Sequence, residues 1–180
     1  MKALIIYATI YGSTETVSDW LAERFRLAGI ETSVCSVSDA PATEDCDLVI
    51  LGSGIYAHKF LPDMENYIKD NCDALKNQTT ALFGVAMRTE TFFKNGRAFG
   101  GEVMLERYGA MLGGSCIAGK IFGGEMIFDR LSESDREGLE RFYTSIRLSE
   151  TDKQKRREPR TLLNKKQCWD FAEYLISAVF

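Results

Sequence analysis

Apolar positions along the chain fall into short unbroken runs alternating with stretches of helical period. Lys2–Tyr7 (KALIIY) is a continuous run of strand length, the pattern of a strand covered on both faces. Val17, Trp20, Leu21, Phe25 and Ala28 then recur at three- and four-residue spacing. They give a helix with one buried face, ended by Gly29 in the position after the helix that glycine favours. Glu31–Val37 alternates weakly and reads as a second strand, and Ser38–Cys46, polar and containing Pro41, as a loop. Asp47–Gly52 (DLVILG) is a second strongly buried strand, followed by an expected loop from Ser53 to Phe60. Pro62 suits the first turn of a helix whose apolar side is Met64, Tyr67 and Ile68.

Thr79–Val85 (TTALFGV) predicts the next strand, Met87–Gly101 a loop, Glu102–Leu112 a helix ended by Gly113-Gly114, and Ser115–Phe122 the last strand. Ser132–Leu148 has a charged helical pattern, and Asn164–Val179 closes the chain with Trp169, Ala172, Leu175 and Ile176 on a helical stripe. Strand and helix alternate, and the strands are buried rather than two-faced. This predicts an α/β fold, a doubly wound parallel sheet of five strands with helices on both faces. The helical and basic segment at about 123–163, before the last helix, is extra to that repeat. No internal repeat is present, and 180 residues suit a single domain over 1–180.

Composition narrows the class. With 45% hydrophobic and 27% charged residues and no apolar run of about 18–20 residues, the chain reads as a globular protein without a transmembrane segment. The apolar N-terminus lacks a basic start and a small-residue cleavage site, so it is expected to be a strand and not an export signal. Cys35, Cys46, Cys72, Cys116 and Cys168 form no Cys-x-x-Cys pair, which predicts reduced thiols and a cytoplasmic setting. No metal site is expected, because His58 is the single histidine and no cysteine pair has zinc spacing. The net charge of -4 hides an asymmetry: Lys153–Arg160 (KQKRREPR) carries five basic residues and one acidic, or +4, against -8 for the rest. A mildly acidic body does not look like a nucleic-acid binder, whose charge is normally basic across a face, so no nucleic-acid partner is expected. The basic stretch reads as a solvated loop, its alternative being contact with an acidic partner, a phosphate or an anionic membrane surface.

Two motif matches fail on context. Gly114–Lys120 fits part of a P-loop, but Ile121 stands where Ser or Thr should ligate magnesium, and the stretch reads as a strand. Gly52-x-Gly54-x-x-Ala57 resembles a dinucleotide fingerprint. It follows the third strand, though, and the next helix begins too late to meet a pyrophosphate. Its glycines are expected in a loop whose backbone approaches a flat ligand. The informative segment is Thr9, Ile10, Tyr11, Gly12, Ser13 and Thr14, between the first strand and the first helix. Four hydroxyls in six positions, with backbone N–H groups at a helix N-terminus, can surround a phosphate without Lys or Arg. The alternative is capping of that helix by Ser13 or Thr14.

On these residues the chain resembles the flavodoxin-like FMN-binding proteins, whose phosphate loop reads Thr/Ser-x-Thr/Ser-Gly-x-Thr; T-I-Y-G-S-T departs from it only at Tyr11. The resemblance implies strand order 2-1-3-4-5 with FMN at the switch point, flavodoxin being itself a standing example of that rule. It further implies that Thr9–Thr14 hold the phosphate and that Ser53, Gly54, Ile55, Tyr56, Ala57 and His58 face the isoalloxazine ring. Ala86, Met87 and Arg88 would cover its other edge, with Tyr56 as the stacking aromatic, His58 a hydrogen-bond donor or proton shuttle, and Arg88 a positive charge near the reduced ring. GSGIYAHKFLP, the extra helix and the Trp169-containing last helix look like the branch that includes menaquinone-dependent protoporphyrinogen dehydrogenases. The expected function is an FMN-binding redox protein passing electrons to a partner protein or a small acceptor or donor. Alternatives are a quinone-linked or protoporphyrinogen dehydrogenase-like flavoenzyme and a flavin-free binding or signalling domain. A receiver-type signalling domain needs acids where Tyr7-Ala8-Thr9 and Leu51-Gly52 stand.

Overall fold

The five expected strands pair side by side in a parallel sheet, β1, β3 and β5 buried nearly throughout and the two outer strands partly exposed. The structure, a computed structural model, describes residues 1–43, 45–94 and 96–180; Glu44, in the expected loop Ser38–Cys46, and Asn95, in the expected loop Met87–Gly101, lie outside the described residues. In chain order the elements are β1 (Lys2–Ala8), α1 (Ser13–Leu27), β2 (Glu31–Ser36), β3 (Leu48–Tyr56), β4 (Lys59–Phe60), α2 (Pro62–Asp70), α3 (Cys72–Lys76) and β5 (Thr80–Ala86). There follow β6 (Thr91–Lys94), β7 (Arg97–Gly100), α4 (Glu106–Leu112), β8 (Cys116–Gly123), β9 (Glu125–Met126), α5 (Glu133–Ser145), α6 (Glu150–Arg157), β10 (Arg160–Thr161) and α7 (Lys165–Val179). The parallel strands run β2-β1-β3-β5-β8, the order 2-1-3-4-5 expected of a doubly wound sheet. Register is fixed on both sides of β1, Ile5 pairing with Val34 of β2 and with Ile50 of β3.

Alternate residues of one strand point to opposite faces, so a strand covered twice must be apolar throughout. Ile5, Ile50, Phe83 and Phe122 pack with Val17, Leu21 and Phe25 of α1 and with Cys168, Phe171 and Leu175 of α7. Leu4, Ile6, Leu51 and Leu82 pack on the other face with Met64 and Ile68 of α2, Leu75 of α3, and Tyr108 and Leu112 of α4. Pro62 starts α2, and Gly29, at φ +79°, follows the end of α1.

Four expectations change. The loop expected over Ser53–Phe60 is instead the end of β3, a two-residue turn and β4: Ile55 pairs with Phe60 and Tyr56 with Lys59, while Ala57 and His58 sit at φ +48° and +64°. The strand thus runs on past Gly52, its expected last residue, over which the Phe83 ring of the next strand lies; a Cβ there would be 1.9 Å from Phe83 Cζ. The expected loop Met87–Gly101 contains the antiparallel pair β6–β7, in which Phe92 faces Phe99. The helix expected over Glu102–Leu112 divides into a 3-10 stretch, Gly101–Leu105, and α4. Finally, most of the basic stretch read as a loop is α6, whose Arg157 pairs with Glu140 of α5 at 2.7 Å and whose Lys153 pairs with Glu150 at 2.7 Å. No helix among the described residues is long and apolar enough to cross a membrane.

Candidate functional site

The carboxyl ends of β1, β3, β5 and β8 open into one cavity of about 580 Å³, within the roughly 300–1,000 Å³ usual for small-molecule sites. In a doubly wound sheet this crevice, where the chain order reverses, is where ligands bind.

The first wall is the loop after β1. Gly12 takes a left-handed conformation (φ +89°) that brings its N–H to the hydroxyl oxygen of Thr9 at 3.0 Å. Gly12 is also the N-cap of α1, and no side chain caps that helix. Capping by Ser13 or Thr14 is therefore excluded. The first-turn amides, with the positive end of the helix dipole, face the cavity region beside Thr9, Ser13 and Thr14, which all line it. Thr14 is buried to 1% exposure and sits close to β3, its Oγ1 being 3.7 Å from where a Cβ on Gly54 would lie. Ser13 Oγ accepts the Glu125 N–H at 3.1 Å. Tyr11 differs from its neighbours: its hydroxyl donates to the carboxylate of Asp135 and accepts the Ser132 N–H at 3.0 Å. Its phenol is thus turned to the late segment of the chain.

The second wall is the β3–β4 hairpin, of which Gly54, Ile55, Tyr56 and Ala57 line the cavity. Ser53 does not; fully buried, its hydroxyl accepts the Leu61 N–H at 2.9 Å and donates to the Gly54 carbonyl at 3.0 Å, fixing the junction into α2. His58 also lies outside the lining, its ring beside the stacked pair Phe92 and Phe99 with centroids 6.3 and 6.2 Å away. The third wall is Val85, Ala86 and Met87. Arg88 turns away from it and lays its guanidinium over the Phe92 ring, 4.0 Å from the centroid. No positive side chain lines the cavity among the described residues, and Glu125 and Asp135 are its acids. Burial, with Tyr11 and Asp135 close by, pushes the Tyr56 phenol up to about 12, so it stays neutral.

The fourth wall comes from residues not expected at the site. Gly124, Glu125 and Met126 follow β8, and Leu131, Asp135, Gly138, Leu139 and Phe142 belong to α5 and its approach. A signal for them was present: Asp135, Gly138, Leu139 and Phe142 recur at the three- and four-residue spacing of one helix face. The result is an apolar slot with an uncapped helix N-terminus and hydroxyls at one end. That donor set suits a planar aromatic group carrying a phosphate ester, as FMN does. All five cysteines are free, and no metal-binding cluster is found among the described residues.

A family model described as "Flavodoxin domain" matches residues 4–154. A flavodoxin from Maridesulfovibrio salexigens is 27% identical, over 64% of this chain and 84% of its own length. Among solved structures, a flavodoxin from the domain Archaea superposes with a TM-score of 0.53 at 17% identity, covering 81% of this chain and 96% of that one. The two-electron reduced flavodoxin of Megasphaera elsdenii gives 0.52 at 18% identity, over 66% and 84% of the two chains.

Proposed function

This chain belongs to the flavodoxin domain family, and from that premise we propose that it binds FMN in the cavity above β1, β3 and β5 and passes electrons through it to a redox partner. The observation that carries this reading is the first turn of α1, uncapped by any side chain and opening beside Thr9, Ser13 and Thr14 into an apolar slot. These three hydroxyls and the first-turn N–H groups of α1 hold the phosphate, compensating a dianion beside which no Lys or Arg lines the cavity among the described residues. Gly54, Ile55, Tyr56 and Ala57 face one side of the ring system and Ala86 and Met87 its other edge, with Tyr56 stacking on it. Ser53 acts by holding this hairpin to α2, and His58 and Arg88 by packing the β6–β7 hairpin behind it. Bound FMN supplies the one- and two-electron chemistry; the chain binds it, excludes water and sets its potential.

A second reading has a specific observation in its favour. The segment 123–163 builds an apolar wall of Leu131, Leu139 and Phe142 over the slot, which a bare electron shuttle does not need. That wall suits a dedicated small substrate, as in the branch that includes menaquinone-dependent protoporphyrinogen dehydrogenases, with a quinone as acceptor. This reading takes residues 1–180 as one domain, and five free thiols suit a reducing, cytoplasmic setting.

The test is to incubate the purified chain with FMN, desalt it, record the visible spectrum and identify the retained flavin by chromatography. Stoichiometric FMN is expected. A colourless protein overturns the reading and leaves the loop after β1 as a turn between strand and helix.

A further inference from the structure

The late segment leaves the sheet and returns to the same place. Glu125 pairs with Thr161 and Met126 with Arg160, and the Leu162 N–H donates to the Gly124 carbonyl at 2.8 Å, so its two ends are clipped together. Between them α5 and α6 brace each other through Arg157 and Glu140, and Tyr143 of α5 is buried to 2% exposure. Hydrogen bonds from α5 to the loop after β1 run through the side chain of Tyr11, whose hydroxyl accepts from Ser132, the N-cap of α5, and donates to Asp135 in its first turn. A hydrogen bond to a charged carboxylate is among the stronger ones. The helix is also shaped for what lies beneath it. Gly138, a poor helix former in the middle of α5, lines the cavity, and a Cβ there would meet nothing within 4 Å.

We propose that Tyr11 latches α5 as a roof over the FMN site, setting how fast ligands enter and leave the slot and not how tightly the phosphate is held. The proposal rests on the FMN reading above. Tyr11 is a positioning residue acting through Ser132 and Asp135, and a molecule reaching the flavin from this side is one small enough to pass beneath α5.

A gate and a ligand contact leave different kinetic signatures. Loosening a gate raises the association and dissociation rates together and leaves their ratio nearly fixed. Removing a contact raises mainly dissociation, and the affinity falls with it. The experiment compares the natural chain with Tyr11→Phe, which keeps the ring, and with Asp135→Ala, which opens the latch from the other side. Amide hydrogen exchange of residues 132–145 is measured on the flavin-free proteins, and FMN association and dissociation by stopped-flow fluorescence. Each variant is expected to speed exchange in α5 about tenfold, with the parallel strands unaffected. Both FMN rates should rise severalfold, with Kd changed less than about threefold. The double variant should go little further than Tyr11→Phe alone, since that substitution already removes the bond to Asp135 together with the one from Ser132. Unchanged exchange in α5 overturns the latch, as does a Tyr11→Phe variant that weakens FMN wholly through dissociation. Exchange is read without flavin, so a chain that takes up no FMN defeats the functional reading while the latch still stands or falls on its own measurement.

Discussion

Tyr108 of α4 lies face to face with Phe60 of β4, the ring centroids 4.1 Å apart and the planes 6° from parallel. The Phe60 N–H donates to the Tyr108 hydroxyl at 2.8 Å, and that hydroxyl donates to Glu65 of α2 at 2.5 Å. One side chain therefore pins the return strand of the β3–β4 hairpin to two helices. Because Ile55 pairs with Phe60 and Tyr56 with Lys59, the anchor also fixes where Tyr56 and Ala57 meet the cavity. Tyr108→Phe keeps the stack but leaves the Phe60 N–H without its acceptor in a buried place. The expected loss is about 1–3 kcal/mol, the cost of an unsatisfied buried donor, read from urea unfolding. A variant as stable as the natural chain would show that the amide finds another partner.

Thr14 separates phosphate binding from ring binding. Its hydroxyl sits beside the uncapped first turn of α1, and FMN has a phosphate that riboflavin lacks. Losing a hydrogen bond to a charged group costs about 1.5–3 kcal/mol, so Thr14→Ala should weaken FMN by roughly ten- to a hundredfold. Riboflavin binding should change little, and Thr14→Ser should restore most of the loss. Isothermal titration with both flavins measures this; equal weakening of the two would remove Thr14 from the phosphate site.

Stability should fall on the alkaline side. Burial, the leading cause in each case, raises Tyr7, Tyr56 and Tyr108 from 10 to about 12, and Cys168 from 9 to about 12. A hydrogen bond to Glu15 adds to the shift of Tyr7, and one to Glu65 to that of Tyr108. The folded chain then holds these protons more tightly than the unfolded one. Their contribution is complete below pH 9, and it is lost as pH rises through 12. Melting temperatures followed by circular dichroism should show a fall between pH 9 and 12 that steepens above 10, accompanied by late tyrosinate absorbance. A melting temperature unchanged to pH 11.5 would contradict these four environments.

The sheet was legible because β1, β3 and β5 are covered on both faces, and double burial writes an unbroken apolar run into the sequence. The run of β3 past Gly52 was harder. Glycine usually marks a loop, and the Phe83 ring that lies over this one belongs to a neighbouring strand, a tertiary fact with no local trace. The β6–β7 hairpin had a usable sign in Asn95-Gly96 between aromatic residues, a dipeptide typical of tight hairpins. For α6 the sign was Ser149 three residues before Asp152, a cap in which Ser149 Oγ accepts the Asp152 N–H at 3.1 Å. The charged sequence that follows hid it, having no apolar stripe to suggest a helix. At the site, the loop after β1 was readable as a motif, but the role of Tyr11 was not. Its partner Asp135 lies 124 residues away and arrives only when the late segment folds back.

Tyr56 should set the potential of the bound flavin. It lines the slot beside Tyr11 and Asp135, half-exposed at 42%, and its phenol stays neutral throughout the ordinary pH range. An aromatic face lying on the ring system disfavours the electron-rich, fully reduced flavin relative to the oxidised one. The nearby carboxylates of Glu125 and Asp135 act in the same direction, and among the described residues no cation lines the cavity to oppose them. Tyr56→Ala removes the ring, admits water and leaves both acids in place. If the stack contributes the 0.5–1.5 kcal/mol of an aromatic pair, the last one-electron step should rise by roughly 20–60 mV, taking about 59 mV per tenfold. Tyr56→Phe, which keeps the face and loses only the hydroxyl, should lie within a few millivolts of the natural chain. Spectroelectrochemical titration of the three proteins separates the contributions. A matching rise in both variants would assign the effect to the hydroxyl, and no change in either would remove Tyr56 from the ring face.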